Sequence, residues 1–125
     1  ADTPSQTAAI LGECGVRPDD IQAVGLHLYI RASGTFRAVH RVRSIHCRLN
    51  GRLTPVYRWD EDTDTFEALH DRQFIANGAA DEFDRPAGML LERWQAHEGC
   101  LANMAEKGPR HFEPVRSRIR EVNVQ

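Results

Sequence analysis

The dipeptide Asn50-Gly51 sets the topology of this 125-residue chain more firmly than any other part of its sequence. It stands between residues 36–49 and 53–59, two stretches rich in apolar, β-branched and aromatic side chains. Both residues of a tight two-residue hairpin turn need positive φ, which Asn and Gly tolerate best. The sequence therefore predicts an antiparallel hairpin that turns at Asn50-Gly51.

Two further strands are predicted beside this hairpin, over residues 23–30 before it and residues 65–69 after it. In the first, Leu26, Leu28 and Ile30 share one face because successive side chains of a strand point to opposite sides. A small antiparallel sheet of three to four strands is therefore expected.

Helical patterns flank the sheet on both sides. The first is expected from Ser5, as N-cap, to a stop at Gly15, and another turn of helix is expected to start at Pro18. Residues 71–82 suit a short helix that ends near Asn77-Gly78, or two turns around that break. Apolar residues recur at helical spacing over residues 86–107 and 112–122. The predicted class is α+β, a small sheet followed by a C-terminal helical segment.

We expect one domain overall, because the chain has the length of a single domain. Its predicted parts are a helical or frayed N-terminal segment (1–22), a basic sheet (23–69) and a helical subdomain (70–125).

The predicted sheet is basic, although the whole chain has a net charge of −2. Residues 21–59 contain seven arginines and neither Asp nor Glu. These guanidinium groups are either solvated or paired with the helical part, or they face a phosphate-bearing ligand, an acidic lipid or a partner subunit. The interaction candidates are Arg37, Arg41, Arg43, Arg48, Arg58 and Trp59.

The sequence contains no complete motif of a nucleotide-binding, calcium-binding or zinc-binding site. The only lysine, Lys107, precedes a glycine and lies in no G-x-x-x-x-G-K-[ST] loop, so no nucleotide site is predicted. Residues 60–64 are acidic, but Thr65 stands where a calcium loop requires glycine. The pairs His46-Cys47 and His97/Cys100 lack the spacing of a zinc site. No catalytic, cofactor-binding or metal-binding residue is predicted.

Residues 55–67, PVYRWDEDTDTFE, resemble the R/K-W-D-P-x-T-D-T-F hairpin that follows the P-loop core in archaeal-type type II/IV secretion ATPases. This family includes the archaellum and type IV pilus motors. Residues 25–31 and 36–45 resemble the two strands before that hairpin. Further matches to the family's C-terminal helices lie in residues 89–94, 101–108, 111–115 and 119–121.

The resemblance is collinear over residues 23–122, and the family's Walker motifs would lie N-terminal to residue 1. Pro109 departs from the family, which has an apolar residue there, and the first 20 residues match nothing in it. The family implies a hexameric, cytoplasmic motor at the membrane periphery that uses ATP and Mg²⁺. The chain is then expected to be inactive alone and to dock on the ATPase core, sister subunits or a membrane platform protein.

Two other functions stay open at this point. A stand-alone module could bind nucleic acid or acidic lipid through the arginine-rich sheet. A small metal-dependent enzyme could use the Cys and His residues. No small-molecule substrate is predicted.

Overall fold

The computed structural model describes residues 3–34, 39–107 and 112–124. They form an antiparallel four-stranded sheet with two helices before it and three after it, so the α+β prediction is confirmed. The elements are α1 (Pro4–Glu13), α2 (Pro18–Gln22), β1 (Leu26–Ser33), β2 (Val39–Leu49), β3 (Arg52–Asp60), β4 (Thr65–Ala68), α3 (Arg72–Phe83), α4 (Ala87–Lys107) and α5 (Phe112–Val124).

The strands follow one another across the sheet in the order β1-β2-β3-β4, and each neighbouring pair is antiparallel. The turn between β2 and β3 has positive φ at both Asn50 (51°) and Gly51 (77°). This is the backbone of a hairpin turn that matches the twist of its strands. The predicted hairpin is confirmed.

Two irregularities interrupt the pairing. Between β1 and β2 the partner of Tyr29 is Ser44 and that of Ile30 is Val42, which leaves Arg43 as the extra residue of a bulge. Between β2 and β3 the extra residue is Val56. Pro55 lies beyond the part of β3 that β4 pairs with, so its missing N–H interrupts no hydrogen bond to β4.

The main core lies where α3 packs against β2. Its buried side chains are Leu49, Val56, Ile75, Ala76 and Ala79. Gly78 is also buried, and its carbonyl accepts a hydrogen bond of 2.9 Å from the amide of Asn50. The helix predicted within residues 71–82 is present as α3, but the end or break predicted near Asn77-Gly78 is wrong, because the helix continues through Gly78, which lets it approach the strand.

The N-terminal helices lie beside β1. Thr3, and not the predicted Ser5, caps α1, because the Thr3 hydroxyl accepts a hydrogen bond of 3.2 Å from the amide of Gln6. Gly15 follows the helix with φ of 87°, as the predicted stop requires. The Thr7 hydroxyl lies 3.1 Å from that of Tyr29, and this contact ties α1 to the sheet.

The chain divides into two compact units, Ala1–Phe83 and Asp84–Gln125. In the second unit α4 and α5 run antiparallel, with Arg118 donating to the Asn103 amide oxygen at 3.2 Å. Among residues 84–107 and 113–122, Met104 alone is buried. The division at 1–22, 23–69 and 70–125 stays a prediction, but α3 contacts the sheet and belongs to the first unit.

Substituting Gly78 tests the close approach of α3 to β2. A Cβ on Gly78 would lie 2.7 Å from the Cβ of Leu49, which cannot swing away because it is fixed to the backbone. We expect Gly78→Ala to lower the free energy of unfolding by about 1–3 kcal/mol, measured by urea denaturation. The control is Gly12→Ala in α1, where the added methyl group meets open space. Equal stability of the two variants would contradict this packing.

Candidate functional site

The hairpin of β3 and β4 carries Trp59 and the acidic residues 60–64. Asp64, in the turn between the two strands, lies at its centre. Its Oδ1 accepts hydrogen bonds from Trp59 Nε1 at 2.8 Å and from Arg41 Nε at 3.0 Å, and its Oδ2 accepts one from Arg41 Nη2 at 3.2 Å. Asp64 has a φ of 50°, a conformation that Asp and Asn tolerate best. We call Arg41, Trp59 and Asp64 the clamp.

The opposite charges of Asp64 and Arg41 favour the ionised form of both side chains. The hydrogen bond from Arg41, then that from Trp59, lowers the pKa of Asp64, and Asp64 in turn raises the pKa of Arg41. The Asp60 carboxylate shapes the same turn by accepting the amides of Asp62 at 2.9 Å and Thr63 at 3.4 Å. The acidic segment is thus a hairpin turn, as its sequence indicates, and the structure adds that Arg41 binds it.

Two more arginines of the sheet pair with acids of this hairpin. Arg58 donates to Glu67, its cross-strand neighbour on β4, at 2.6 Å, and Glu67 raises the pKa of Arg58. Arg31 lies 3.4 Å from Glu61. The acidic residues that follow the basic stretch therefore fold back onto it, and a large part of its positive charge is neutralised within the chain.

The other arginines predicted for interaction do not form one group with the clamp in the described residues. Arg37 lies outside the described residues. Arg43 is the extra residue of the β2 bulge, so Arg41 and Arg43 do not follow the simple alternation that would place them on one side. Arg48 donates to the carbonyl oxygens of Val24 and Gly51, each at 3.4 Å. Of the predicted set, Arg41 and Trp59 are brought together at the Asp64 carboxylate.

An exposed apolar surface lies on one face of the sheet. Leu26, Leu28 and Ile30 of β1, which we call the β1 stripe, are 54%, 50% and 62% exposed. Leu28 pairs with Ile45, which pairs with Tyr57 of β3, so these side chains share a face.

Alternation along β3 and β2 extends this face at both ends. Trp59 and its partner Phe66 belong to it, and Phe66 is 56% exposed. Leu49 also belongs to it and is covered by α3 at Gly78. The helix therefore covers one end of the face and leaves apolar side chains exposed on both outer strands.

The β1 stripe was not among the residues predicted for interaction, although its alternation is visible in the sequence. The sequence does hold a signal for it, because neither face of β1 is fully polar. The β1 stripe is apolar, and His27 and Tyr29 on the opposite face are only partly polar. A strand with two such faces is expected to be covered on both sides, and the structure leaves Leu26, Leu28 and Ile30 at least half exposed.

The Cys and His groupings do not assemble a reactive centre in the described residues. His46 and Cys47 are successive in β2 and point to opposite faces. Burial, followed by the charge of Glu82, raises the pKa of the Cys47 thiol, which disfavours the nucleophilic thiolate. His97 and Cys100 line a small pocket of about 80 Å³ with Leu101 and Ile119. Within the described ranges, no three His, Cys, Asp or Glu residues are grouped to hold a metal ion.

The sequence matches no protein-family model, no curated protein and no solved structure at a significant level. The resemblance to secretion ATPases therefore stays a prediction that the motifs alone support. A search of the described helices finds none with the length and apolar character to span a bilayer.

The pH dependence of stability tests the clamp. Because the pKa of Asp64 is lower in the folded state, its contribution is present above the unfolded pKa of about 3.9 and is lost as pH falls through the folded value. We expect Asp64→Asn, which tolerates the same φ, to unfold at lower urea concentration than the wild type near neutral pH. The difference should shrink as pH falls below about 4.

The matched control is Asp62→Asn in the same turn, which leaves both donors of the clamp in place. The Trp59 indole N–H resonance should move with the Asp64 titration in the wild type. A stability difference that stays constant down to low pH would show that the clamp does not act through the Asp64 charge.

Proposed function

We propose that this chain is the C-terminal, non-catalytic subdomain of a secretion or pilus-assembly ATPase. It acts in subunit packing and in docking to the motor core or the membrane platform. The observation that carries the proposal is the apolar sheet face that α3 covers at Leu49 and leaves exposed at the β1 stripe. Contiguous exposed apolar surface with polar surroundings is typical of protein–protein contacts.

The second unit adds support, because it is poorly able to stabilise itself. Of residues 84–107 and 113–122 only Met104 has a buried side chain, so this part of the helix pair has little apolar burial to offset the entropy of ordering. Such a pair gains stability by contacting another surface. An ATPase core or a sister subunit in the hexamer would provide one.

The charge pairing around the clamp favours docking over binding to a polyanion. Arg41, Arg58 and Arg31 each bond to a carboxylate of their own chain, so phosphate groups would have to compete with these contacts. Binding driven by the apolar face would depend weakly on salt, in contrast to counterion release from nucleic acid or acidic lipid.

ATP and Mg²⁺ would be bound elsewhere in the motor. The chain lacks the glycine-rich lysine loop that cradles phosphates, so its residues do not fit the nucleotide. In this proposal the motor lies in the cytoplasm, peripheral to the membrane, and the chain transmits or braces movement without taking part in hydrolysis.

Binding to a P-loop core tests the proposal. The chain is mixed with the P-loop cores of the secretion ATPases of its source organism, expressed without their own C-terminal segments. We expect a complex by size-exclusion chromatography with light scattering. Leu28→Asn and Ile30→Asn should each weaken it about fivefold, because a half-exposed aliphatic side chain contributes roughly 1 kcal/mol when its burial is completed.

The matched control is Ile10→Asn on α1, a substitution of a similarly exposed aliphatic residue outside the sheet face. All three variants should unfold within about 0.5 kcal/mol of the wild type, because they alter surface positions. Failure of the wild type to bind any core, or equal binding by all variants, would refute the proposal.

A further inference from the structure

Two histidines lie opposite each other on the sheet face that points away from the β1 stripe. His27 of β1 is the cross-strand partner of His46 of β2, so their side chains are neighbours. Between this histidine pair and α1 lies Tyr29. Its hydroxyl is 3.2 Å from His27 Nδ1 and 3.1 Å from the Thr7 hydroxyl, and its ring meets that of His46 edge to face, with centroids 5.4 Å apart.

Three side-chain nitrogens around the histidine pair are buried and unpartnered within the described part of the chain. They are Nε2 of His27, Nδ1 of His46 and Nε of Arg48. His46 and Arg48 are two residues apart on β2, so all three belong to the same face. A neutral imidazole tolerates such a position at moderate cost, whereas a charged imidazolium needs a partner or water.

The elements around the histidine pair place a positive charge beside it. β2 contributes the Arg48 guanidinium on the same face, which also disfavours a metal cation. From β3 the residue opposite His46 is Pro55, and further along the same face Arg58 is paired with Glu67. α1 contributes Thr7 and ends in the exposed Glu13; α2 carries Asp19 and Asp20, and Asp20 binds Arg17. Protonation of the pair would add positive charge beside positive charge.

Burial, followed by repulsion from His27, lowers the pKa of His46. A form in which water reaches the imidazole binds a proton more readily than the form in which the imidazole is covered. As pH falls through the ordinary histidine value of about 6.5, the uncovered form therefore gains stability relative to the covered form.

We propose that the histidine pair is an acid-sensitive latch that keeps the N-terminal segment, residues 3–25, on the sheet at neutral pH and releases it on protonation. The segment is suited to release. The contact of Thr7 with Tyr29 joins α1 to the sheet. At the end of the segment the Arg48 side chain reaches the carbonyl oxygen of Val24, and the Arg48 amide donates to that of Gly25 at 2.8 Å. A cleft of about 270 Å³ lies between the segment and β1, lined by Thr7, Leu11, Ile21 and Val24 of the segment and by residues 26–29 of β1.

Release would expose Tyr29, which is 5% accessible in the latched form, and would open this side of β1 to other chains. The latch does not rest on the proposed ATPase role, because every group in it belongs to this chain. It can be measured on the isolated chain without a partner.

Hydrogen exchange tests the latch. Protection factors of α1 and α2 amides, corrected for intrinsic exchange, are compared at about pH 7.5 and about pH 5, which bracket histidine titration. We expect protection of these helices to fall on the order of tenfold at the lower pH, while amides of β3 keep theirs. Unchanged protection of α1 and α2 in the wild type would overturn the proposal.

Substitutions identify the groups responsible. His46→Phe keeps an aromatic edge against Tyr29 but cannot be protonated, and His27→Asn keeps a polar group near the Tyr29 hydroxyl. We expect the double variant to retain α1 and α2 protection at about pH 5. His40→Gln, at an exposed position of β2, should respond to acid as the wild type does. A double variant that still loses protection in acid would overturn the proposal.

Titration of the wild-type imidazoles by NMR gives a readout that needs no variant. We expect His46 to titrate below about 6.5, with the Thr7 and α1 amide resonances moving at the same midpoint. A His46 midpoint at or above that value, or α1 resonances that do not follow it, would refute the latch even if the double variant fails to fold.

Discussion

The close contact between Gly78 and Leu49 organises the first unit. It lets α3 lie against β2 at a distance that no side chain at position 78 would permit, and the buried residues Ile75, Ala76 and Ala79 are brought onto the sheet by it. The Gly78 carbonyl also bonds to the Asn50 amide, so helix packing and hairpin turn depend on the same residue. A small core is held together because a helix and a turn share one point of contact.

Much of the fold follows from local sequence, and the departures have physical causes. Asn50-Gly51 predicts its hairpin because the tolerance of positive φ is a local property of these two residue types and needs no tertiary contact. The continuation of α3 through Gly78 was not predictable, since a glycine that would otherwise end a helix is retained by tertiary contact with Leu49. The bulges at Arg43 and Val56 depend on pairing between strands and leave no local signal.

The clamp shows what sequence could and could not indicate about the site. The acidic turn and its tryptophan are adjacent in sequence, so their association is local. Arg41 reaches Asp64 from 23 residues away, and only the sheet register brings the two together. The surplus of arginine suggested an anion-binding surface, yet the acids that follow it in the chain satisfy several of those guanidinium groups.

The short length of β4 has a consequence for how this sheet can be extended. β4, at one outer edge, has four residues, whereas β1 offers eight along the other edge. A strand from another molecule would find few backbone donors and acceptors on β4, so the edge better suited to a further strand is that of β1, next to the N-terminal segment. Growth into an open-ended fibre needs two adhesive edges, and the short β4 leaves this sheet with one of full length.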